Sequence, residues 1–548
     1  MSRLEIKPTL VDRLIAGLSP AQGLRRMVAR ARFQALAGGY TGARRNRRAT
    51  SAWNPLGKSA DADTLPDLAV LRARSRDAVR NTPIATAAVG RARSLVVGAG
   101  LKAHPQIDRD LLGLSAAEAD AWERAAAREF AVWGDSKNCD ASRAQTFDRL
   151  QRLVFQSTLE SGDVFAVWVT VERAGWPYSR ALRIYEADQV SNPNAVRDGG
   201  AALENDKHTL AGGVEIDEDG APVAYHFLKV HPGNIAGKGS REWRRVEAFG
   251  ARTGRRQVIH VLDRLRPSQS RGVPMLAPVL ESLKQLGTYS DAEMMAAVIG
   301  AMIAVVYKTK SGSTLEDAEP TTETGATASD RDYKMASGTV LDIEHDDEVS
   351  VPDVGRPNRN FEPFFVAIVR EIGAALELPF EVLIQHFTAS YSASRAALEM
   401  AWQFVRDRRA WLREELCREV YEEVITEAVA AGRLAAPGFF ADAIVRRAWL
   451  GADWVGPARI SVDPLRENKA DEIAEDRGWK TAQEITAERT GGDWERKHGQ
   501  RVKEEGLRGE LGVKAPSPAP SPPAAPDAGE APEDMPEDKP EDETRDET

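Results

Sequence analysis

His260–Leu283, HVLDRLRPSQSRGVPMLAPVLESL, changes character twice. It opens on the end of an apolar run, Val258-Ile259-His260-Val261-Leu262, which reads as a strand. A basic turn punctuated by Pro and Gly follows, with Arg264, Arg266, Pro267, Arg271, Gly272 and Pro274. Leu276, Val279, Leu280, Leu283 and Leu286 then recur at helical spacing. Pro274 is expected in the first helical turn, where its missing N–H costs nothing. The block has no catalytic constellation. It reads as a joint at which a sheet region hands the chain to a long helix.

Outward from the joint, 548 residues are too many for one hydrophobic core, so two or more packed regions are expected. Cys139 and Cys417 are far apart with no C-x-x-C partner, which speaks against a zinc site or a disulfide framework and fits a reducing compartment. No signal-peptide core opens the sequence. The most apolar run, Met294–Val306, falls short of the roughly 20 residues that span a bilayer, so no membrane is expected as a partner. It reads as a buried helix end running into a strand.

The net charge of −10 is unevenly placed. Residues 515–548 hold 11 acidic residues against Lys539 and Arg545, nearly the whole excess. The front is basic, through Arg25, Arg26, Arg30 and Arg32, then Arg44, Arg45, Arg47 and Arg48, then Arg72, Arg74, Arg76 and Arg80. Each run can be a solvated face. Together they suit a protein that manages contacts with other macromolecules.

Before the joint, residues 1–60 read as a sparsely packed arm. Residues 64–97 are helical with a break at Asn81-Thr82-Pro83, and two more helices fall in 115–160. From 161 the period becomes two. Strands are expected at Asp163–Val171, Leu182–Tyr185, Gly213–Ile216, Val223–Val230 and Val258–Asp263, with a hairpin turn at Asp217–Gly220. After the joint come a helix over about 274–300, strands at Ala304–Lys308, Thr339–Ile343 and Glu348–Val351, and a helix over 361–376 stopped by Leu378-Pro379. The longest helical pattern starts near Ser390 and runs to about Ala431, where Gly432 can cap it, a length of about 60 Å. The Pro- and acid-rich tail beyond 514 cannot bury enough apolar surface to fold.

Motifs for chemistry fail on inspection. Gly98-Ala99-Gly100-Leu101-Lys102-Ala103 matches a loose dinucleotide fingerprint, but Pro105 breaks the helix that must follow. Ala52–Ser59 ends like a phosphate loop, yet Ala52 replaces the first glycine, and Trp53 and Pro55 obstruct the amide nest. The eight histidines form no metal-binding pair. Asp342, Glu344, Asp346, Asp347 and Glu348 read as a solvated or pore-facing turn rather than an acid–base pair. Ser392, Ser394 and Arg395 have no histidine base nearby in sequence. No catalytic, cofactor-binding or metal residue is therefore assigned, and no enzyme activity is expected.

Several tracts carry a likeness. They are Leu71–Asp77 with Arg80-Asn81-Thr82-Pro83, Val96–Leu101, Gly213–Asp217 with Pro222–Phe227, Arg266–Pro274, Tyr391–Ala397 and Val462-Asp463-Pro464. In this order and spacing, over about residues 40–510, the chain resembles the portal proteins of tailed bacteriophages, in the lambda-like family. Ala393 stands where that family's Tyr-Ser-Ser-x-Arg tract has its second serine, and the acidic tail lies outside the likeness.

The resemblance implies an α+β portal fold and a ring of identical subunits, usually a dodecamer, at one capsid vertex of the virion, assembled in the host cytoplasm. Double-stranded DNA would be packaged through the ring by the terminase large subunit and later ejected. The major capsid protein and head-completion or adaptor proteins would be further partners. It also implies a division of the chain: a basic arm (1–60), a mixed α/β wing (61–272), stem helix 1 (273–300), a small α/β clip (301–356), stem helix 2 (357–378), a kink and tunnel loop (379–396), a long helix leading to a helical crown (397–513) and a disordered tail (514–548). Lys284, Arg370, Gln385, His386 and Arg395 would meet DNA, with intersubunit salt bridges as the alternative for Arg370 and Arg395. Arg264, Arg266 and Arg271 would hold the joint or brace neighbouring subunits. A terminase-like ATPase would need an intact phosphate loop. Another ring-forming head–tail connector, adaptor or structural capsid protein fits the charge asymmetry, but would not need two helices bracketing a small α/β insert.

Overall fold

A computed structural model describes residues 10–36, 43, 48–202, 205, 207–234, 242–308, 339–343, 358, 360–387, 390–461 and 463–510. Arg44, Arg45 and Arg47, most of 301–356 with Glu344, Asp346, Asp347 and Glu348, Val462, and the acidic tail lie outside the described residues. The chain divides into a unit ending at Trp454 and one beginning at Val455.

The first unit opens with α1 (Leu10–Leu18) and α2 (Pro20–Leu36), then α3 (Ala60–Asn81) and α4 (Pro83–Val96). Ser59 caps α3 by accepting from the Ala62 amide at 3.3 Å, and Asp61 and Asp63 sit in its first turn, where the helix dipole favours negative charge. Pro83 starts α4, so the expected break at 81–83 is where the helices part. A strand follows the Gly98–Gly100 turn rather than a helix: β1 (Lys102–Pro105). Then come α5 (Arg109–Leu112), α6 (Ala116–Gly134), opened by a Ser115–Glu118 capping box, and α7 (Phe147–Ser161).

Strands β2 (Asp163–Thr170) and β3 (Arg180–Glu186) precede a meander of β4 (Gly200–Ala201), β5 (Thr209–Ala211), β6 (Val214–Ile216), β7 (Pro222–Leu228) and β8 (Trp243–Glu247), and β9 (Val258–Leu262) returns to pair with β2. The orders are β3-β2-β9 and β4-β5-β6-β7-β8, antiparallel throughout. Strand β2 is buried on both faces because its alternate residues serve two cores. Val164, Ala166 and Trp168 join the main core with the helices, while Phe165 and Val167 meet Tyr225 and Phe227 of the second sheet. Gly220 (φ +84°) makes the expected Asp-Gly hairpin between β6 and β7.

Beyond the joint, α8 (Leu280–Met302) runs into β10 (Ile303–Lys308), which pairs in parallel with β11 (Thr339–Ile343). Then come α9 (Phe361–Ala375), α10 (Phe380–Ile384) and α11 (Tyr391–Leu412). One π-turn, Arg413–Cys417, connects α11 to α12 (Arg418–Ala430), so the long helical pattern is continuous and carries a single bulge. Leu412, Leu416, Val420 and Val424 lie in the main core. That packing anchors the long helix in the first unit. The unit closes with α13 (Ala443–Trp449) and β12 (Ala452–Val455), which pairs with β1.

The second unit contains α14 (Pro464–Asp476), α15 (Ala482–Thr490) and α16 (Trp494–Glu510). Arg489 binds Asp471 and Glu467 of α14, and Lys480 reaches Glu488 at 2.5 Å.

Two local expectations change. Pro274 lies in the turn, and the helix begins after it with a 3-10 turn, Ala277–Val279, which carries Pro278. Met294 and Met295 are 66% and 61% exposed in the single chain, so this stretch of α8 is not a buried helix end. Among the described residues no helix is long and apolar enough to cross a membrane.

Candidate channel elements and the joint that positions them

The joint is built on a buried carboxylate. Asp163, the first residue of β2, is 0% exposed, and four groups converge on it. Arg271 donates from Nε at 2.6 Å and from Nη2 at 3.2 Å, Arg72 of α3 from Nη2 at 2.8 Å, and the Gly272 amide at 3.0 Å. His260 Nε2 of β9 stands 3.2 Å away. Arg271 has no donor to spare. It also donates to the carbonyls of Val190 at 2.8 Å and Ala187 at 2.7 Å, and to that of Gly212. Its charge lies over the Phe165 ring at 5.1 Å, and Phe165 stacks on His260. Arg72 also holds the Ser161 carbonyl at the end of α7 at 2.8 Å, and Asp188 lies 3.6 Å from it.

Four elements thus meet at one carboxylate, α3, β2, β9 and the turn into α8, and Arg72 ties the end of α7 to them. Burial disfavours the Asp163 charge, but Arg271, Arg72 and the His260 hydrogen bond outweigh it and hold the carboxyl far below the usual range. Burial pulls Arg72 down to about 10 and lowers His260, against the pull of Asp163 in each case. Backbone approach is close as well. Gly162 (φ +90°) and Gly272 touch so nearly that a methyl group on Gly272 would overlap the Gly162 carbonyl. The Met275 amide donates to Leu159 O at 2.9 Å, which ties the exit of the turn to α7.

The rest of the turn is pinned to the start of α3. Arg266 pairs with Asp63 at 2.6 Å and donates to the Lys58 carbonyl at 2.9 Å, while Ser270 donates to Asp61 from its amide and its hydroxyl. Arg266 and Arg271 are therefore spent on their own chain. Within one chain both therefore act at the joint, with the Arg271 guanidinium enclosed and that of Arg266 about half exposed. Arg264 is exposed just after β9, where its charge acts on Glu415 of the π-turn.

The five residues expected to meet DNA are all exposed: Lys284 on α8, Arg370 on α9, Gln385 and His386 just after α10, and Arg395 in the first turn of α11. Arg370 rests over the Phe380 ring at 5.2 Å. Gln385 has φ +56°, a left-handed cap that ends α10. α8 and α9 lie together through Tyr289, whose ring stacks 5.6 Å from Phe361 and meets Phe364 edge-on. Among the described residues no cluster of His, Cys, Asp and Glu could hold a metal.

Sequence reasoning missed the centre of the joint, although Asp163 left a signal as a lone acid heading an apolar strand. Arg72 could not be told from Arg74, Arg76 and Arg80. A second clamp was also missed: Glu423 of α12 accepts from Arg180 at 2.7 Å and Arg255 at 2.8 Å, tying the long helix to the sheet.

Residues 46–409 match the family described as phage portal protein, lambda family, and the chain belongs to it. Portal protein B of Escherichia phage lambda is 26% identical over 492 residues, 85% of this chain and 89% of that protein. The portal protein of Escherichia phage N15 is 25% identical over the same shares. In space, a chain from the neck of an empty gene transfer agent particle is 16% identical and covers 80% of this chain and 95% of its own length, with a loose TM-score of 0.37.

Proposed function

We propose that copies of this chain form a ring, a dodecamer, at the portal vertex of the capsid, and that double-stranded DNA crosses its channel inward during packaging and outward at ejection. The segments 61–272, 273–300, 301–356 and 357–378 serve as wing, first stem helix, clip and second stem helix. Residues 379–396 form the kink and tunnel loop, and 397–513 the long helix and crown. The clip docks the terminase large subunit and later the head-completion or adaptor proteins, and the wing faces the major capsid protein. The ring assembles in the host cytoplasm and stays in the virion as a structural part rather than a catalyst.

One observation carries the reading. α8 and α9 lie side by side through Tyr289 and Phe361, yet leave Met294, Met295, Val298 and Phe364 exposed. An apolar face of this size on paired helices suits burial against the same helices of neighbouring copies. The cations on these elements are few. Each phosphate neutralised adds affinity, and hence friction, so a conduit works best with sparse charge. Negative-stain microscopy of the purified protein tests the proposal: rings with a central hole are expected, and a monomer would overturn it.

A further inference from the structure

The segment just before α3, Ala52-Trp53-Asn54-Pro55-Leu56, carries two large apolar side chains into solvent, with Trp53 70% and Leu56 81% exposed. On the same unit a cavity of about 500 Å³ opens between the start of α3, the β5–β6–β7 meander and the turn at 264–270. Its walls are apolar through Leu65, Leu210, Val214 and Tyr225, and acidic through Asp61, Asp198, Asp217 and Glu218, while Arg264 and the buried His260 are its basic members. Ser270 donates to Asp61, Asn192 and the Gly212 amide to Asp198, and the Asp219 and Ala221 amides to Asp217. These donors are neutral groups. The exposed segment follows a basic run, Arg44, Arg45, Arg47 and Arg48.

We propose that Trp53–Leu56 of one copy seats in this cavity on a second copy, whose acidic walls complement the basic sequence that precedes the segment. The idea rests on the ring reading, which supplies the second copy. The cavity has the volume of sites that enclose compact apolar groups. A buried aromatic anchor with charge complementarity around it is the usual composition of an interface hot spot. Pro55 restricts the segment to extended conformations, which lowers the ordering cost of docking. Within one chain both side chains point to solvent, although the cavity wall begins only three residues further on, at Ser59.

The test uses the full-length protein with Asn54→Cys and Thr209→Cys, Asn54 being an exposed residue between the two anchors and Thr209 an exposed residue of the cavity wall. The native Cys139 and Cys417 are buried and do not compete. A short bismaleimide is added to assembled protein, followed by denaturing electrophoresis, with microscopy of the same sample. A ladder of linked chains is expected. Rings that yield only internally linked monomers, or no linkage, overturn the inference and leave the ring standing, whereas absence of rings overturns both. Independently, Trp53→Ala should raise the concentration for half-assembly by about tenfold, as the loss of an aromatic anchor implies, and Trp53→Phe should restore most of it. An unchanged midpoint in Trp53→Ala also overturns the inference.

Discussion

Asp163→Asn is the most informative single change at the joint. The substitution keeps the shape of the side chain and removes the charge that two buried guanidiniums share, Arg72 at 4% and Arg271 at 2% exposure. It also turns an NH₂ donor toward groups that only donate. Breaking a buried ion pair from one side costs about 3–5 kcal/mol, because the partner stays buried and unpaired. Unfolding entropy near 2 cal/mol/K per residue, over a unit of this size, turns that loss into a fall of about 3–5 °C in the melting midpoint. Scanning calorimetry of the purified protein reads it directly. Arg271→Met alone should destabilise comparably, and the double variant should lose much less than the sum, since each partner's removal cancels the other's stranded charge. A shift under about 0.5 °C for Asp163→Asn, or strict additivity in the double variant, would refute the claim that this carboxylate holds the joint.

Gly272→Ala should destabilise by at least about 1–3 kcal/mol, since the new methyl group meets the Gly162 backbone rather than a side chain that can swing away; chemical denaturation measures it. Glu423→Gln should cost about 1–3 kcal/mol by weakening the hold of Arg180 and Arg255 on the long helix, and Glu423→Asp, too short to reach both, should not rescue it. Stability should fall on acidification from two sources. His260 has a lowered folded pKa, so the unfolded chain gains its proton first and stability drops as pH falls below about 6.5; Glu215, held at about 2 against burial by Arg245 and His208, and the still lower Asp163 lose their contribution as pH falls below about 4.5. A pH series of melting midpoints checks both the sign and the window. Arg395→Ala should reduce DNA packaging or retention while rings still form; failure of ring assembly would instead make Arg395 a subunit contact.

Much of the order of elements could be read from periodicity and punctuation. Asn81-Thr82-Pro83 parts α3 from α4, Asp-Gly turns β6 into β7, and the run from Ser390 to Ala431 is one helical path. These signals are local, since φ preferences, caps and side-chain spacing act within a few residues. The short strands β1, β4, β5, β8 and β12 escaped notice because segments such as KAHP and WRRVE carry neither the apolar run that marks β9 nor the Asp-Gly turn that marks β6.

By itself, then, the sequence determined that a strand meets a helix through a basic, Pro- and Gly-punctuated turn at Arg264–Pro274, and that no motif for catalysis accompanies it. Only the tertiary structure decided what those arginines do. Arg271 and Arg72 lie 199 positions apart in the chain, yet both close on Asp163, while Arg266 ties the turn to Asp63. Charge runs look alike in sequence, because a guanidinium in solvent and one in the core are the same letter. The distinction comes from burial, which makes an unpaired charge costly and so forces each enclosed arginine onto a partner that only the fold can bring within reach.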